Sequence, residues 1–178
     1  MSPLQVALSA FEFVLTAALS MLVIYAQHRM YVITNHDYDT IDEIKKGNVA
    51  VAVLLAAMMV GGGSIIQQGI YPVVNLVRLQ FTSPAWEIEP WRLALMVAGH
   101  LLLVFIVAVF TISLGLRFWG KMSQGLKWGE QLKAGNVAVG VVLAGVVLVF
   151  SSFMSDGVSS LTKSLIPQPS MGQVEFAE

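Results

Sequence analysis

The stretch KKGNVAVAVLLAA, residues 45–57, returns as KAGNVAVGVVLAG at residues 133–145 of a 178-residue chain. The two copies lie 88 positions apart and align without a gap. The same offset places Arg29 on Arg117 before the motif and Gly69 on Gly157 after it. Self-similarity over this length indicates an internal duplication of one supersecondary unit. The chain therefore reads as two copies of one hairpin.

Composition places that hairpin in a membrane. Hydrophobic residues make up 56% of the chain, charged residues only 12%, and the mean hydropathy is +0.74. These values are typical of an integral membrane protein whose main partner is the lipid bilayer. The formal net charge of −1 and the lack of a basic region argue against a nucleic-acid partner. The absence of cysteine excludes disulfides, thiolate catalysis and thiolate metal sites.

Four apolar stretches can cross the hydrocarbon core, which takes about 20 residues of helix. The first lacks the basic start of a signal peptide, so we keep it as a mature helix. The four stretches are 6–26, 49–66, 93–114 and 137–154. The predicted fold is therefore an all-α integral membrane protein with four transmembrane helices. An even number of crossings in each repeat predicts that both two-helix repeats are parallel, entering the membrane in the same direction.

The duplication also sets the domain organisation. We predict a first membrane repeat at 4–69, a second at 92–157, an external linker at 70–90 and an exposed tail at 158–178. Within the linker, Pro72 predicts a break, after which apolar residues at helical spacing are typical of a short interfacial helix. A plain extension of the second helix is the open alternative. The tail is either a loosely ordered end or a strap onto a partner subunit.

The basic residues predict an orientation. Seven Lys and Arg residues lie in the loops that follow the first and third helices, and three lie on the opposite side. By the positive-inside rule these two loops are cytoplasmic and both termini are outside. Aromatic residues near both ends of the helices fit interfacial belts better than a ligand cage. They are Trp86 and Trp91 on one side and Tyr31, Trp119 and Trp128 on the other.

Glu12 and His100 are the candidate polar intramembrane pair. Both lie within apolar helices, and the offset of 88 makes them equivalent. Ionisable residues inside a membrane are costly and therefore functional candidates. A Glu12–His100 pair can exchange a proton or line a polar path. The structural alternative, which we favour, is a buried hydrogen bond that pins the first helix to the third.

Neither a cofactor nor a metal is predicted. A bis-histidine haem needs a second histidine at matching depth, and His28 and His36 lie toward the loop. The acidic stretch HDYDTIDE at 36–43 has no acidic counterpart in the second repeat, so a solvated loop is the better interpretation. No phosphate-binding loop or nucleophile–base arrangement appears in the sequence, which predicts that the protein is not an enzyme.

The Gly-Asn pair has a mechanical explanation. Asn48 and Asn136 are suited to cap the helices that follow them, while Gly47 and Gly135 allow a sharp turn into the cap. Steps of four from each Asn trace a face of small residues that permits close helix packing. The predicted packing residues are Ala52, Ala56, Gly140 and Ala144. The functional alternative makes Asn48 and Asn136 a polar ring at a pore mouth.

The doubled pattern of an apolar helix, a short basic loop and then Gly-Asn-x-Ala-Val-x-x-x-x-Ala resembles the bacterial inner-membrane family called domain of unknown function 350, in two tandem copies. The resemblance implies a small multi-pass protein of the bacterial inner membrane without an established activity. In that membrane, the orientation predicted from the basic residues places both termini in the periplasm. Two hypotheses remain. The preferred one is a non-enzymatic structural or accessory component that forms a homo-oligomer or joins a larger membrane complex. The alternative is an ion or proton channel or translocator that uses Glu12, His100, Asn48 and Asn136.

Overall fold

The computed structural model describes residues 3–34, 37–82, 88–122 and 127–165, and within them the chain is helical with no strand. Four long helices, each long and apolar enough to cross a membrane, alternate with two short ones. They are α1 Pro3–Thr34, α2 Thr40–Lys45, α3 Val49–Thr82, α4 Pro90–Met122, α5 Trp128–Lys133 and α6 Val137–Leu165. The all-α membrane fold and the number of long helices are thus confirmed.

The long helices extend beyond the predicted apolar stretches. α3 has 34 residues, about 51 Å at 1.5 Å per residue, against about 30 Å for a hydrocarbon core. It continues through Pro72, so residues 70–82 extend the second long helix and are not a separate linker helix. Proline is tolerated in membrane helices because neighbouring groups satisfy the carbonyl that it frees. α6 likewise runs to Leu165, so the predicted tail begins as helix, and residues 166–178 lie outside the described residues.

Two short helices, α2 and α5, occupy what the sequence predicts as loops. Their bounds, and the starts of α3 and α6, are each 88 residues apart. Asp39 starts α2 as its N-cap, with Oδ1 accepting from Ile41 N at 2.9 Å and Asp42 N at 3.0 Å. The acidic stretch at 36–43 therefore supplies a helix cap and the first turn of α2.

α3 lies at the centre of the bundle. It packs against α1, α4 and α6, and its contact with α6 is the most extensive in the chain. The buried side chains form two hydrophobic clusters, and α3 contributes to both. The cluster near α2 and α5 includes Val51, Leu54, Met58, Leu132 and Leu143. The cluster farther along α3 includes Val23, Ile65, Ile66, Val104 and Val158.

Contacts between α3 and α6 advance in the same direction along both helices. A Cβ on Gly140 would lie 2.5 Å from Ala50 O, so the two backbones touch there. Further along, a Cβ on Gly61 would overlap Ser151 Oγ. Ser155 Oγ then donates to Ser64 O at 3.2 Å. Partners in this interface are 90 or 91 residues apart, whereas the sequence repeat is 88.

Candidate functional site: the Gly-Asn corners and the intramembrane polar groups

Each Gly-Asn pair forms a corner between a short helix and a long one. Gly47 (φ +79°) and Gly135 (φ +76°) are the only described residues with positive φ, a conformation that glycine adopts without steric cost. At the first corner, Gly47 N donates to Ile44 O at 2.9 Å and Asn48 N to Glu43 O at 3.0 Å. These two bonds define a Schellman motif, which ends α2 and satisfies its last carbonyls.

The second corner repeats the first. Gly135 N donates to Leu132 O and Asn136 N to Gln131 O, each at 3.0 Å. In both corners the asparagine then caps the next helix through its side-chain oxygen. Asn48 Oδ1 accepts from Val51 N at 3.3 Å, and Asn136 Oδ1 accepts from Val139 N at 3.4 Å. One Gly-Asn pair therefore ends one helix and begins another.

The corners differ in what the asparagine amide reaches. Asn48 Nδ2 donates to Glu43 Oε2 at 2.9 Å and, across to α5, to Leu132 O at 2.8 Å. Asn136 Nδ2 donates to Gln131 Oε1 at 2.9 Å, and Asn136 is exposed. Only Asn48 thus ties its corner to the other half of the chain. Both asparagines cap the long helices that follow them, and the Asn48 amide also donates across to α5.

Glu43 is the charged member of the first corner. Its side chain is only 7% exposed and forms an ion pair with Lys46 at 2.8 Å. The Asn48 amide, and next the Lys46 ammonium, hold the pKa of the Glu43 carboxyl below its usual value, while the same pair raises the pKa of Lys46. The equivalent position in the second corner is the neutral Gln131. A buried carboxylate at this position is therefore a property of the first corner.

His100 is buried where α3, α4 and α6 meet. Its Nε2 lies 3.1 Å from Gly69 O and 3.3 Å from Thr162 Oγ1. Gly69 O can only accept, and the Thr162 hydroxyl already donates to Val158 O at 2.7 Å. Nε2 therefore carries the proton, which assigns the Nε2–H tautomer. Nδ1 is buried without a partner among the described residues.

Glu12 is half-buried on α1, and the structure does not join it to His100 by a hydrogen bond within the described ranges. The hydrogen bond at Glu12 is made by its backbone, which accepts from Thr16 Oγ1 at 2.7 Å. α1 is pinned to α4 instead by Gln27, whose Nε2 donates to Ala108 O at 3.1 Å. Gln27 is not among the residues predicted from the sequence, although a polar side chain within an apolar helix is the signal that singles out Glu12.

Gly62 explains how Gln27 fits. A Cβ on Gly62 would overlap the Gln27 amide, so the glycine provides the space for that side chain beside α3. In the second half Gly115 lies on the helix that corresponds to α1, and a Cβ there would be 3.2 Å from the Phe150 ring. Gln27 and Gly115 are equivalent by the offset of 88, as are Gly62 and Phe150. In the first half the large side chain is on α1 and the glycine on α3. In the second half the glycine is on α4 and the large side chain on α6.

The predicted packing face is divided between the two helices. Gly140 and Ala144 are buried against α3, but Ala52 and Ala56 are exposed. α3 meets α6 through a different face, which consists of Ala50, Leu54, Ala57 and Gly61. The predicted small residues of α6 therefore pack against α3 of the same chain, whereas the predicted small residues of α3 form an outward face. The two helices differ in this way because residues in contact are separated by two more positions than residues that are equivalent in the repeat.

Two cavities of about 230 Å³ each adjoin these elements. One lies at the α2 and α5 end, with Tyr31, Arg117 and Trp128 in its lining. The other is polar and lies between α3 and α6, where it is lined by Ser64, Gln68, Ser151, Ser152, Ser155 and Asp156. Within the described ranges no group of three or more His, Cys, Asp or Glu side chains is placed to hold a metal ion.

The functional polar groups are far apart. Asn48 and the residue that binds His100, Gly69, are 21 positions apart on α3, about 30 Å along the helix axis. That distance is close to the thickness of a hydrocarbon core. The first asparagine corner and the His100 contact are therefore well separated along α3, and the structure does not gather the four predicted polar residues into one site.

Comparison with known proteins gives one match. No curated protein and no solved structure matches the chain. The model of the family described as Domain of Unknown Function (DUF350) matches residues 4–158, which include both corners and most of each long helix. The resemblance noted from the Gly-Asn motif thus has an independent counterpart over most of the sequence, and the chain belongs to the DUF350 family.

Proposed function

We propose that this protein is a non-enzymatic component of the bacterial inner membrane that acts by assembling with itself or with a larger membrane complex. The observation that carries the proposal is the outward face of α3. Ala52, Ala56, Gly63 and Gln67 follow one another at helical spacing and point away from the core of the chain. Small residues at this spacing favour helix association in lipid, and a polar amide favours contact with protein over contact with hydrocarbon.

The same proposal includes a topology. Two hairpins of one type, in tandem, enter the membrane in the same direction, with α2 and α5 on the cytoplasmic side and both termini in the periplasm. The matching bounds of the two halves and the excess of Lys and Arg beside α2 and α5 support it.

Substitution on the outward face tests the assembly. Ala56→Phe places a large ring on the α3 face, while Ala18→Phe makes the same change at an exposed position of α1 that lies on none of the proposed faces. We expect Ala56→Phe to reduce the size of particles extracted with their native lipids, and Ala18→Phe to leave it unchanged. Equal particle sizes for both variants and the parent protein would overturn the proposal.

A second candidate function is ion or proton translocation, which the polar cavity between α3 and α6 favours. Asp156, Ser155 and Gln68 line it together, and a wet polar groove is a common feature of ion pathways. Proteoliposomes test this function with Glu12→Gln, His100→Leu and Asp156→Asn. Flux that falls in these variants would support translocation, whereas no flux above empty liposomes in the parent protein would exclude it.

A further inference from the structure

The two halves of the chain do not pack about a twofold axis. A twofold would pair Ala52 with Ala138 in the way that Ala50 pairs with Gly140, but Ala52 and Ala138 are both exposed. It would also give α1 and α6 a contact equal to that of α3 with α4, yet the described parts of α1 and α6 form no packed pair of comparable extent. The halves are therefore joined head to tail, by two different faces of equivalent helices.

A head-to-tail contact leaves one copy of each face unused. The residues of α3 that contact α6 have equivalents on α6 at the offset of 88, and these equivalents are exposed. We name them the free α6 face: Ala138, Val142, Gly145 and Val149. The residues of α6 that contact α3 likewise have equivalents on α3, and these are turned outward as well. We name them the free α3 face: Ala52, Ala56, Met59 and Gly63. The two free faces repeat the two sides of an interface that the chain already forms.

We infer that the free α6 face binds the free α3 face of a second copy of this chain, so that copies join head to tail into a closed ring about an axis normal to the membrane. This inference rests on the proposed function and names the partner. Repeated heterologous contacts generate rings when the rotation closes, and the bilayer keeps all copies in one plane. Each intrachain contact has an equivalent between copies at the offset of 88.

The first transferred contact is a hydrogen bond in the apolar interface. Ser155 Oγ donates to Ser64 O within the chain, and the equivalent residues are Gln67 and Ser152. Both are exposed, and within the described residues the Gln67 amide donates to Tyr71 on its own helix, at 3.4 Å. The free faces therefore place a polar donor, Gln67 of the second copy, opposite a backbone acceptor, Ser152 O of the first.

The second transferred contact explains the exposed corner. Asn48 Nδ2 donates to Leu132 O of the following half, so the corresponding partner of Asn136 is Ile44 O of the second copy. Asn136 and Ile44 are both exposed. An amide has two donor protons, and Asn136 uses one on Gln131.

The third transferred contact gives Glu12 the role of His100. His100 donates to Gly69 O, and Val104 packs on Gly69 so closely that a Cβ there would overlap it. The equivalents are Glu12, Gly157 and Thr16. Nothing lies within 4 Å of a Cβ built on Gly157, so α1 of the second copy has room to approach. Glu12 of the second copy would then face Gly157 O, as His100 faces Gly69 O within the chain.

The transferred interface is not identical to the intrachain one. Ala52 has a methyl group where Gly140 has none, so the backbones must stand farther apart at that point. Farther along, Val149 replaces Gly61, and it meets Gly63, which has no atom within 4 Å of a Cβ position. Large and small residues have exchanged sides, as they have for Gln27 and Gly62, and the interface keeps its complementarity.

Disulfide cross-linking tests this inference, because the chain has no cysteine of its own. Ser152→Cys and Gln67→Cys are expressed together on differently tagged chains and oxidised in native membranes. We expect a cross-linked dimer that carries both tags, no dimer from either variant alone, and a ladder ending at the ring size from the double variant. The pair Leu22→Cys and Phe110→Cys, which are equivalent exposed positions away from the free faces, is the matched control and should give no ladder.

A second pair, Val149→Cys and Gly63→Cys, guards against a variant that fails to fold. Dimers formed by either single variant alone would indicate a twofold contact and overturn the head-to-tail ring. Absence of cross-linking from both pairs would overturn it as well. The number of chains in particles of the parent protein is measured in parallel. If the parent still assembles when cross-linking fails, the proposed function stands and only the inferred interface is lost.

Discussion

Replacing the two corner asparagines by alanine should destabilise the protein unequally. Each change removes an N-cap, which costs about 1 kcal/mol. Asn48→Ala also removes the donor that Leu132 O accepts at 2.8 Å across the two halves, and loss of such a bond from a partly buried carbonyl adds about 1 kcal/mol. We therefore expect a loss of about 2 kcal/mol for Asn48→Ala and about 1 kcal/mol for Asn136→Ala.

Unfolding in mixed micelles with increasing sodium dodecyl sulfate measures both losses, under detergent conditions in which the chain is monomeric. Helix content is followed by circular dichroism, and Trp128, on α5 beside Leu132, reports the α5 corner by fluorescence. Asn136→Ala is the matched control, because it removes the same cap and a bond to neutral Gln131, but neither the cross-half bond nor a bond to the Glu43 carboxylate. A loss for Asn136→Ala as large as that for Asn48→Ala would refute the difference between the corners.

Three further predictions concern packing and charge. Gly140→Ala drives a Cβ into the α3 backbone and should cost about 1–3 kcal/mol, whereas Gly145→Ala, which meets nothing within 4 Å, should be neutral or gain up to about 1 kcal/mol of helix propensity in the same monomeric assay. Gly62→Ala should destabilise the chain by overlapping the Gln27 amide, and addition of Gln27→Ala should restore part of that loss, so additive losses would contradict the fit. The lowered pKa of Glu43 means that its carboxylate stabilises the fold above the unfolded pKa near 4.5, and that this stabilisation is lost as the pH falls through the folded pKa. Glu43→Gln should reduce the loss of stability that is measured as the pH is lowered. An unchanged loss would show that the first corner is not the origin of this pH dependence.

The fold could be predicted because its signals are local. Runs of apolar residues specify the four long helices, and the Gly-Asn pairs specify the corners, since positive φ and N-capping depend on residues only a few positions apart. The signal of α2 is present in the sequence, but the 36–43 stretch is predicted as a solvated loop, because its acids are not recognised as the cap and first turn of a helix. The continuation of α3 through Pro72 was left open because tertiary neighbours decide whether a membrane helix tolerates proline.

The packing could not be predicted for a different reason. Small residues at four-residue spacing indicate that a helix face is fit for close approach, but they do not say which partner covers it. Ala52 and Gly140 are equivalent in sequence, and one is exposed while the other touches backbone, because the halves meet two residues out of the repeat register. The equivalence of Glu12 and His100 likewise suggested a pair. Within the described residues Glu12 and His100 are not hydrogen-bonded to each other, and His100 contacts Gly69 of the other half instead.

The number of chains in a particle extracted directly from the membrane tests the central claim most directly. Native mass spectrometry of the untreated protein in its own lipids gives that number from multiples of the 19.3 kDa chain. Assembly predicts several copies, or this chain together with another membrane protein. Particles that contain one chain and lipid alone would contradict it.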